Sequence, residues 1–366
     1  MDFELSEERQ MLKDTADRFI REQCTIDKRH EATKSDEGYD KALWAEFCEL
    51  GLAGALIPAD AGGFGGTGED ISLVFEALGR GLVVEPFLPT LLASVPLAGA
   101  GRTDLLEQAM EGGTQLAFAH YEPEGYYTAE HVTTRAAGGT LTGRKAVVIN
   151  GATASHIVVT ARAAGDVTDT EGLGCYLVEA GAPGLEIIQH KSIDGPHVAE
   201  ITLNNTPAED LGQGWDAIER TLSAGALAVS AEAVGAMEVA KDVTLDYLKE
   251  RKQFGKPIGA NQVLQHRMVD ILVELESARS VVMLAANTFE ADRHTREKNV
   301  SAAKNTIGRA GRLIAEETIQ MHGGIAMTWE YIAPHYAKRI VMIDHLFGDT
   351  DHHLERFIAL SRAEDA

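Results

Sequence analysis

The chain contains 366 residues, 45% of them hydrophobic and 24% charged, which is typical of a soluble globular protein of two or three packed units. Its formal net charge of -23 disfavours binding to nucleic acid or to an anionic membrane surface, because such a protein repels phosphate unless basic residues cluster locally. Without a long apolar run, a basic leader or a cysteine framework, the sequence predicts a cytoplasmic protein with no membrane span and no disulfides.

The first region, residues 1–113, has the pattern of a helical domain. Ser6 can cap a helix whose first turn holds Glu7 and Glu8, since acidic side chains stabilise the positive end of a helix dipole. Apolar residues then recur at helical spacing. The stretch LGLAGALIPADAGGFGGTGED follows as a glycine-rich loop between helices.

The second region, residues 114–211, has the pattern of β-structure. Short runs rich in Val, Ile and Thr, such as TLTGRKAVVIN and EITLNN, are separated by Gly, Asn and Pro. Runs of this kind predict strands joined by tight turns. We therefore expect a small antiparallel β-domain in the middle of the chain.

The third region, residues 212–366, predicts a helical bundle, because long stretches of apolar residues at helical spacing contain few breaks. One helix is expected to stop at Gly323 and Gly324, since glycine commonly ends helices. Another is expected to end at Gly255, with Phe254 on its last turn and Pro257 preventing the helix from resuming.

Two motifs of this third region could hold an anionic aromatic ligand. In ERKQFGKPIGANQVL, residues 250–264, Arg251 offers a planar group that matches phosphate oxygens, and Phe254 offers a ring face. In IQMHGGIAMTWEY, residues 319–331, Gln320 lies in the last helical turn, and the two glycines after it allow a ligand to approach the backbone. Either motif alone is also compatible with an ordinary helix end.

Together the two motifs resemble those of the acyl-CoA dehydrogenase family. The family pattern Arg-x-x-Phe-Gly-x-x-Ile-x-x-x-Gln is matched by Arg251, Phe254, Gly255, Ile258 and Gln262, and Gln-x-x-Gly-Gly by Gln320, Gly323 and Gly324. The stretches LSEERQML and GRKAVVINGATASHIVV resemble further parts of the family, so the resemblance covers nearly the whole chain. It implies a mainly α-helical fold with an N-terminal helical domain, a β-barrel-like middle domain and a C-terminal four-helix bundle.

The resemblance also implies a chemistry, the α,β-dehydrogenation of a CoA thioester in fatty-acid or steroid side-chain β-oxidation. A carboxylate removes the α-proton, the β-hydride passes to FAD, and an acceptor of the electron-transfer-flavoprotein type reoxidises the flavin. Family members hold FAD across a subunit interface. The residues implied to bind FAD from this chain are Arg251, Gln253, Phe254, Ile258, Asn261, Gln262, Leu264, Gln320, Met321, Gly323, Gly324 and Thr350.

The half of the family's site that holds the flavin ring is altered in this sequence. Where the family has small hydroxyl residues in Thr-Glu-Pro-x-Ala-Gly-Ser-Asp, this chain has Tyr121 and Tyr127, and Glu124 adds a charge near a phosphate. Where the family has Trp-Ile-Thr-Asn-Gly over the ring, this chain has Val147 and Ile149 in place of Trp and Thr. A buried ring that is left without a hydrogen-bond partner is destabilised by an amount of order 1–3 kcal/mol for each missing partner.

The catalytic base of the family is also missing at its usual positions. The commonest base is the Glu of Tyr-Glu-Gly-Thr, and aligning its Thr with Thr350 places Gly348 at the Glu and Asp349 at the Gly. The alternative base position falls near Gly225. Glu232 lies two turns further along the same predicted helix, about 10 Å away, and is a poor substitute.

These departures predict a partner subunit of a heterotetramer, which clamps the ADP half of a FAD whose ring and base belong to a different, homologous subunit. The arrangement resembles the paired α2β2 acyl-CoA dehydrogenases of bacterial steroid side-chain degradation. Two alternatives remain open, a self-sufficient homotetramer with Asp349 as its base and a non-enzymatic family member that kept only the fold. His345, His352 and His353 do not predict a metal site, because neighbouring histidines point in different directions on a helix.

Overall fold

The order of elements along the chain confirms the predicted fold class, mainly α with a central β-sheet. The structure is a computed structural model, and it describes residues 5–364. Helices in the described residues before the sheet are α1 (Glu7–Gln23), α2 (Ile26–Lys34), α3 (Lys41–Glu49), α4 (Gly68–Gly81), α5 (Phe87–Gly99) and α6 (Thr103–Met110). Those after the sheet are α7 (Trp215–Glu250), α8 (Gln262–Asn287), α9 (Arg293–His322), α10 (Ala333–Asp344) and α11 (Thr350–Glu364).

Local capping explains where several of these helices begin. The side chain of Ser6 accepts a hydrogen bond from the Arg9 amide at the start of α1, which confirms the predicted N-cap. Thr67 and Asp70 form a capping box at the start of α4, directly after the glycine-rich loop. At the other end of a helix, Gly323 closes α9 with a φ of 66°, as the sequence predicted.

The central sheet lies in the middle region of the chain. Its strands are β1 (Leu116–Ala119), β2 (Arg135–Ala137), β3 (Thr140–Ile149), β4 (His156–Arg162), β5 (Leu173–Glu179), β6 (Leu185–Lys191), β7 (His197–Pro207) and β8 (Glu209–Gln213). Seven strands follow the order β6-β7-β3-β2-β4-β5-β8, and β1 pairs with β4 off this path. Most pairs are antiparallel, as predicted, but β1 runs parallel to β4, and β2 meets β4 in one parallel pair.

The described residues divide into two compact units that do not follow the three serial regions of the sequence. The helical unit contains the described residues up to Ile26, Thr67–Val83 and everything from Ala226 onward, so α1 and α4 belong with the later helices. The β-sheet unit contains Asp27–Gly66 and Val84–Gly225. The domain boundaries expected from the sequence, 1–113, 114–211 and 212–366, therefore remain a prediction.

Close helix crossing in the helical unit depends on glycine. A Cβ on Gly79 of α4 would lie 2.0 Å from the Glu232 carbonyl oxygen of α7, and a Cβ on Gly235 of α7 would lie 2.0 Å from the Glu76 carbonyl oxygen. By length and composition α7 could cross a membrane, but 89% of its most apolar window is buried inside the protein. A helix buried in the core of a folded domain can have the same length and apolar composition as a membrane-spanning helix.

Candidate functional site

The first predicted ligand-binding motif forms a hairpin and not the predicted helix end. The helix α7 stops at Glu250, and strands β9 (Lys252–Gln253) and β10 (Lys256–Pro257) pair antiparallel on either side of a two-residue loop. The loop residues Phe254 and Gly255 have φ values of 54° and 82°. Positive φ at both central residues is the conformation of a type I′ turn, which matches the twist of a hairpin. The prediction that Gly255 ends a helix is therefore wrong.

The hairpin presents its side chains to solvent. Phe254 is fully exposed, with a relative exposure of 101%, although a non-glycine residue rarely adopts a positive φ. Arg251 and Gln253 are also exposed. A large apolar ring held out of the protein beside a guanidinium and an amide is suited to a ligand or a second chain, because within this chain the ring gains no burial.

The remaining predicted FAD-binding residues of this motif lie at the start of α8. Ile258 and Leu264 are half-buried, whereas Asn261 and Gln262 are exposed. The side-chain amide of Asn261 donates to the Ile258 carbonyl at 2.9 Å, which orders the turn before α8. The amide of Ile258 in turn donates to the Arg251 carbonyl at 2.9 Å and ties this turn to the base of the hairpin.

The second motif ends α9 in an open turn. Gln320 is exposed and Met321 is buried in the helical core. A Cβ placed on Gly323 or on Gly324 would meet no atom of the described residues within 4 Å. These glycines therefore face open space, not a close packing partner. Exposed polar groups and open backbone at both motifs fit the ADP half of FAD, for which Arg251 would supply charge and the glycines backbone access.

The usual base position is closed in this chain. Gly348 is buried with a φ of 103°, in the left-handed region that disfavours any side chain. A Cβ there would lie 2.5 Å from Cδ2 of His352 and 2.8 Å from Nε2 of His353. His353 is held by a 2.9 Å hydrogen bond from its Nε2 to the Phe347 carbonyl. The position therefore holds no carboxylate, and a side chain there would strain the backbone and displace the two histidine rings.

Asp349, the residue that the sequence left as a candidate base, begins a helix in the structure. Its Oδ1 accepts a hydrogen bond from the His352 amide at 2.9 Å, which is the N-cap contact of α11. The neighbouring Thr350, predicted to bind the cofactor, donates from its hydroxyl to Asp344 Oδ1 at 2.9 Å. The capping contact accounts for Asp349 without any catalytic role, and the proposed roles of both residues remain predictions.

A buried lysine also holds the turn at Gly348 in place. Lys304 of α9 is fully buried and donates to three backbone carbonyls, those of Ile343, Asp344 and Gly348, at 2.8 to 3.0 Å. Burial lowers the pKa of Lys304 to about 8, while the negative charges of Asp344 and Asp349 oppose this effect. The ammonium group therefore stabilises the carboxyl end of α10 and holds the Gly348 turn in place. No pattern in the sequence distinguishes Lys304 from a surface lysine.

The alternative base position offers no free carboxylate either. Gly225 is buried within α7. Glu232, further along α7, forms a bidentate ion pair with Arg339, with N–O distances of 2.5 and 2.6 Å, and both residues are buried. A carboxylate bound on both oxygens to a guanidinium is held in position, so Glu232 has a structural role.

The positions that the family resemblance assigns to the flavin ring lie in the β-sheet unit and include two apolar residues. Val147 lies at a bulge of β3 with a φ of 54° and is 56% exposed. Ile149 is half-buried, and neither side chain can donate or accept a hydrogen bond. Tyr121 and Tyr127 are half-buried and Glu124 is exposed. Val147 and Ile149 therefore offer an isoalloxazine ring no side-chain hydrogen bond.

A buried network supports the loop that carries these tyrosines. The Glu122 carboxylate accepts hydrogen bonds from the amides of Thr133 and Thr134 at 2.7 and 3.0 Å, and from Lys145 Nζ at 2.9 Å. Lys145 also donates to the His120 carbonyl at 2.9 Å. Burial raises the pKa of Glu122, but the Lys145 charge and the threonine hydrogen bonds outweigh it and lower the pKa to about 2. Sequence reasoning missed this pair, because its partners lie on separate segments.

Both ends of the chain match models of one protein family. Residues 6–110 match the acyl-CoA dehydrogenase N-terminal domain, and residues 212–359 match the acyl-CoA dehydrogenase C-terminal domain. Acyl-CoA dehydrogenase IpdE2 of Mycolicibacterium smegmatis is 31% identical over 356 residues, which cover 97% of this chain and 99% of the relative. A probable acyl-CoA dehydrogenase of Bacillus subtilis, YngJ, is 28% identical and covers 90% of this chain and 92% of its own length.

Solved structures show the same fold over the full chain. A chain of the Tcur3481-Tcur3483 steroid ACAD G363A variant superposes with a TM-score of 0.89 at 29% identity and covers 98% of this chain and 99% of that chain. A chain of the ChsE4-ChsE5 complex from Mycobacterium tuberculosis superposes with a TM-score of 0.88 at 26% identity and covers 100% of this chain and 99% of that chain.

Proposed function

Because this chain belongs to the acyl-CoA dehydrogenase family of FAD-dependent oxidoreductases, we propose that it acts as the subunit without a base in a heteromeric acyl-CoA dehydrogenase. In this role it binds the ADP half of FAD through Arg251, Gln320 and the Gly323–Gly324 turn. A homologous partner subunit supplies the flavin-ring pocket and the carboxylate base. Bound FAD supplies hydride acceptance, and the residues of this chain bind and orient the cofactor.

The closed base position is the observation that carries this proposal. A thioester α-proton is weakly acidic, so its removal needs a positioned carboxylate of raised pKa. At Gly348 the positive φ and the two histidine rings oppose a glutamate side chain. Glu232, which lies seven residues beyond the other base position on α7, is bound by Arg339. Without a base, the proton-abstraction step has to be performed elsewhere.

The two halves of the cofactor site support the same division between subunits. The exposed Phe254 hairpin and the open Gly323–Gly324 turn fit a ligand that also contacts another chain. Val147 and Ile149 offer a flavin ring no side-chain hydrogen bond in this chain. Two solved neighbours carry two protein names each. They are the Tcur3481-Tcur3483 steroid ACAD variant, at 29% identity, and the ChsE4-ChsE5 complex, at 26% identity. For the acyl group we accordingly propose a steroid side-chain CoA thioester.

The deciding experiment measures flavin content and activity with and without the partner. The tagged chain is produced alone and together with each homologous chain of its source organism that carries a glutamate at a base position. We expect the isolated chain to retain little FAD and no activity, and the complex to contain fewer FAD molecules than chains. A yellow, active chain that binds one FAD per subunit by itself would contradict the proposal.

Two variants test the assignment of the ADP half within that complex. Arg251→Ala and Gln320→Ala should lower FAD retention about tenfold or more, since each removes a hydrogen-bonding group to a charged or polar ligand atom. Arg312→Ala is the matched control, because Arg312 is exposed on the same helix as Gln320 and pairs only at the surface, with Glu316. Turnover of steroid side-chain CoA thioesters compared with butyryl-CoA tests the substrate class separately.

The homotetramer alternative depends on Asp349 acting as the base. The capping contact of Asp349 with the His352 amide does not favour this interpretation, because the carboxylate is already engaged at the start of α11. If flavin is retained by no combination of chains, the non-enzymatic alternative replaces both.

A further inference from the structure

An aromatic cluster joins the two segments that carry the proposed ADP-binding residues. The His322 ring stacks on Tyr247 at a centroid distance of 4.6 Å and an interplanar angle of 30°. Tyr331 lies 5.1 Å from His322 and 6.3 Å from Tyr247. The three residues come from the end of α7, the end of α9 and the segment that follows the Gly323–Gly324 turn. The cluster therefore brings three separate chain segments together.

Two of the three rings, those of Tyr247 and His322, belong to residues directly connected to a proposed binding group. The amide of Arg251 donates to the Tyr247 carbonyl at 2.9 Å, so the start of the hairpin is one helical turn beyond the Tyr247 ring. His322 immediately precedes Gly323 and lies two residues after Gln320 in the same helical end. Any change in the separation of Tyr247 and His322 is thereby transmitted to Arg251 on one side and to the glycine turn on the other.

The His322 ring is held in one orientation. Its Nδ1 lies 2.7 Å from the Thr318 carbonyl, to which it donates, while Nε2 is buried and has no hydrogen-bond partner in the described residues. Burial lowers the pKa of His322, and the nearby backbone carbonyls of Thr318 and Val243 oppose this effect. One turn earlier, Thr244 Oγ1 donates to Thr318 Oγ1 at 3.3 Å and adds a second contact between α7 and α9.

The packing of the ring is more informative than its hydrogen bonding. A phenyl ring at this position would keep the same ring packing without the imidazole nitrogens. Packing against two tyrosines, stacked on Tyr247 and tilted against Tyr331, fixes the spacing of the three segments. The cluster therefore depends on the packing of the His322 ring and not on its hydrogen bonds.

We propose that Tyr247, His322 and Tyr331 are positioning residues for the shared cofactor, which hold the Arg251 hairpin and the Gly323–Gly324 turn at the separation that the ADP half of FAD requires. This inference rests on the proposed function of the chain as the ADP-binding subunit. The three residues act through Arg251, Gln320 and the glycine turn, and they leave the chemistry of the partner's ring and base unchanged.

The test compares removal of a ring with its conservative replacement in the purified complex. FAD affinity is measured by flavin fluorescence on the apo-complex, with ADP as a competing probe. His322→Ala and Tyr331→Ala should raise the Kd for FAD and for ADP about tenfold, because each variant removes the packing of one ring on the two others. His322→Phe and Tyr331→Phe keep the rings and should restore both Kd values to within about twofold. At saturating FAD, kcat should be unchanged in all four variants.

A matched control separates positioning from general loss of structure. Trp329→Ala removes an aromatic ring from the same segment, one that packs edge-on against His335, and should leave the Kd for FAD unchanged. If the alanine variants lower thermal stability without changing either Kd, or if the phenylalanine variants fail to rescue, the inference is wrong. If Arg251→Ala also leaves FAD retention unchanged, the proposed function itself fails, and the inference fails with it.

Discussion

Replacing Gly348 by glutamate restores a carboxylate at the family's usual base position, and we expect it to destabilise the protein without restoring catalysis. The glycine has a φ of 103°, and its Cβ direction points at His352 and His353, at 2.5 and 2.8 Å. A side chain at this position has to strain the backbone or displace two rings. The Lys304 ammonium, bound to the Gly348 carbonyl at 2.8 Å, resists movement of the loop.

The expected loss of stability follows from two contributions. A non-glycine residue in a sparsely populated backbone region costs about 1–3 kcal/mol. Displacing His353 breaks its hydrogen bond to the Phe347 carbonyl, which contributes on the order of 1 kcal/mol. The sum is a decrease of about 2–4 kcal/mol in the free energy of unfolding.

The prediction is checked by measuring the stability of the chain and the activity of the complex. Urea unfolding midpoints are compared for the parent chain, Gly348→Ala and Gly348→Glu, with Gly181→Ala as the control. Gly181 also has a positive φ, 81°, but a Cβ there meets nothing within 4 Å, so the control isolates backbone strain from steric conflict. Activity is measured in a complex whose partner carries glutamine in place of its base glutamate.

Two results would refute this reasoning. If Gly348→Glu unfolds at the same urea concentration as the parent, the base position is not closed by its surroundings. If the same variant restores turnover to the complex with the inactive partner, this chain contains a usable active site and the proposed division between subunits is wrong.

Substitutions at three further residues test other parts of the structure. Asp349→Asn should unfold within about 0.5 kcal/mol of the parent and Asp349→Ala about 1 kcal/mol below it, since asparagine caps a helix as well as aspartate does; both should keep full activity in the complex, and inactivity of Asp349→Asn would identify a base. Glu232→Ala should cost about 3–5 kcal/mol in thermal unfolding, because it leaves the Arg339 charge buried without its partner. Its FAD content per folded complex should not change. Burial raises the pKa of Glu122, but Lys145 and the threonine hydrogen bonds outweigh it and lower the pKa to about 2. The ionised carboxylate therefore stabilises the folded state at neutral pH, and this stabilisation is lost as pH falls from about 4.5 through 2. Between these pH values the free energy of unfolding of the parent chain should fall by on the order of 3 kcal/mol. The free energy of unfolding of Glu122→Gln should change less with pH over the same range.

Local patterns predicted the parts of the fold that depend on neighbouring residues. The Ser6 cap and the stop at Gly323 follow from hydrogen bonds and dihedral angles within one helical turn. The hairpin at Phe254 was missed, because a glycine after a helical stretch predicts a helix end as readily as a turn. The parallel pairing of β1 with β4 was missed for a related reason, since strand direction depends on distant segments.

The sequence by itself determined the family and the identity of the altered positions, because motif spacing and residue type are properties of the chain alone. It predicted Arg251, Gln320 and the glycines as one intact half of a cofactor site, and it showed glycine at position 348, where the family resemblance expects a carboxylate.

The tertiary structure decided what occupies that position and which acids are engaged. Only the fold brings His352 and His353 onto Gly348, buries Lys304 beneath the turn and pairs Glu232 with Arg339. The physical reason is that burial, ion pairing and steric closure depend on groups brought together across the chain. The periodicity and composition of the sequence do not predict which of these groups lie close together in the folded protein.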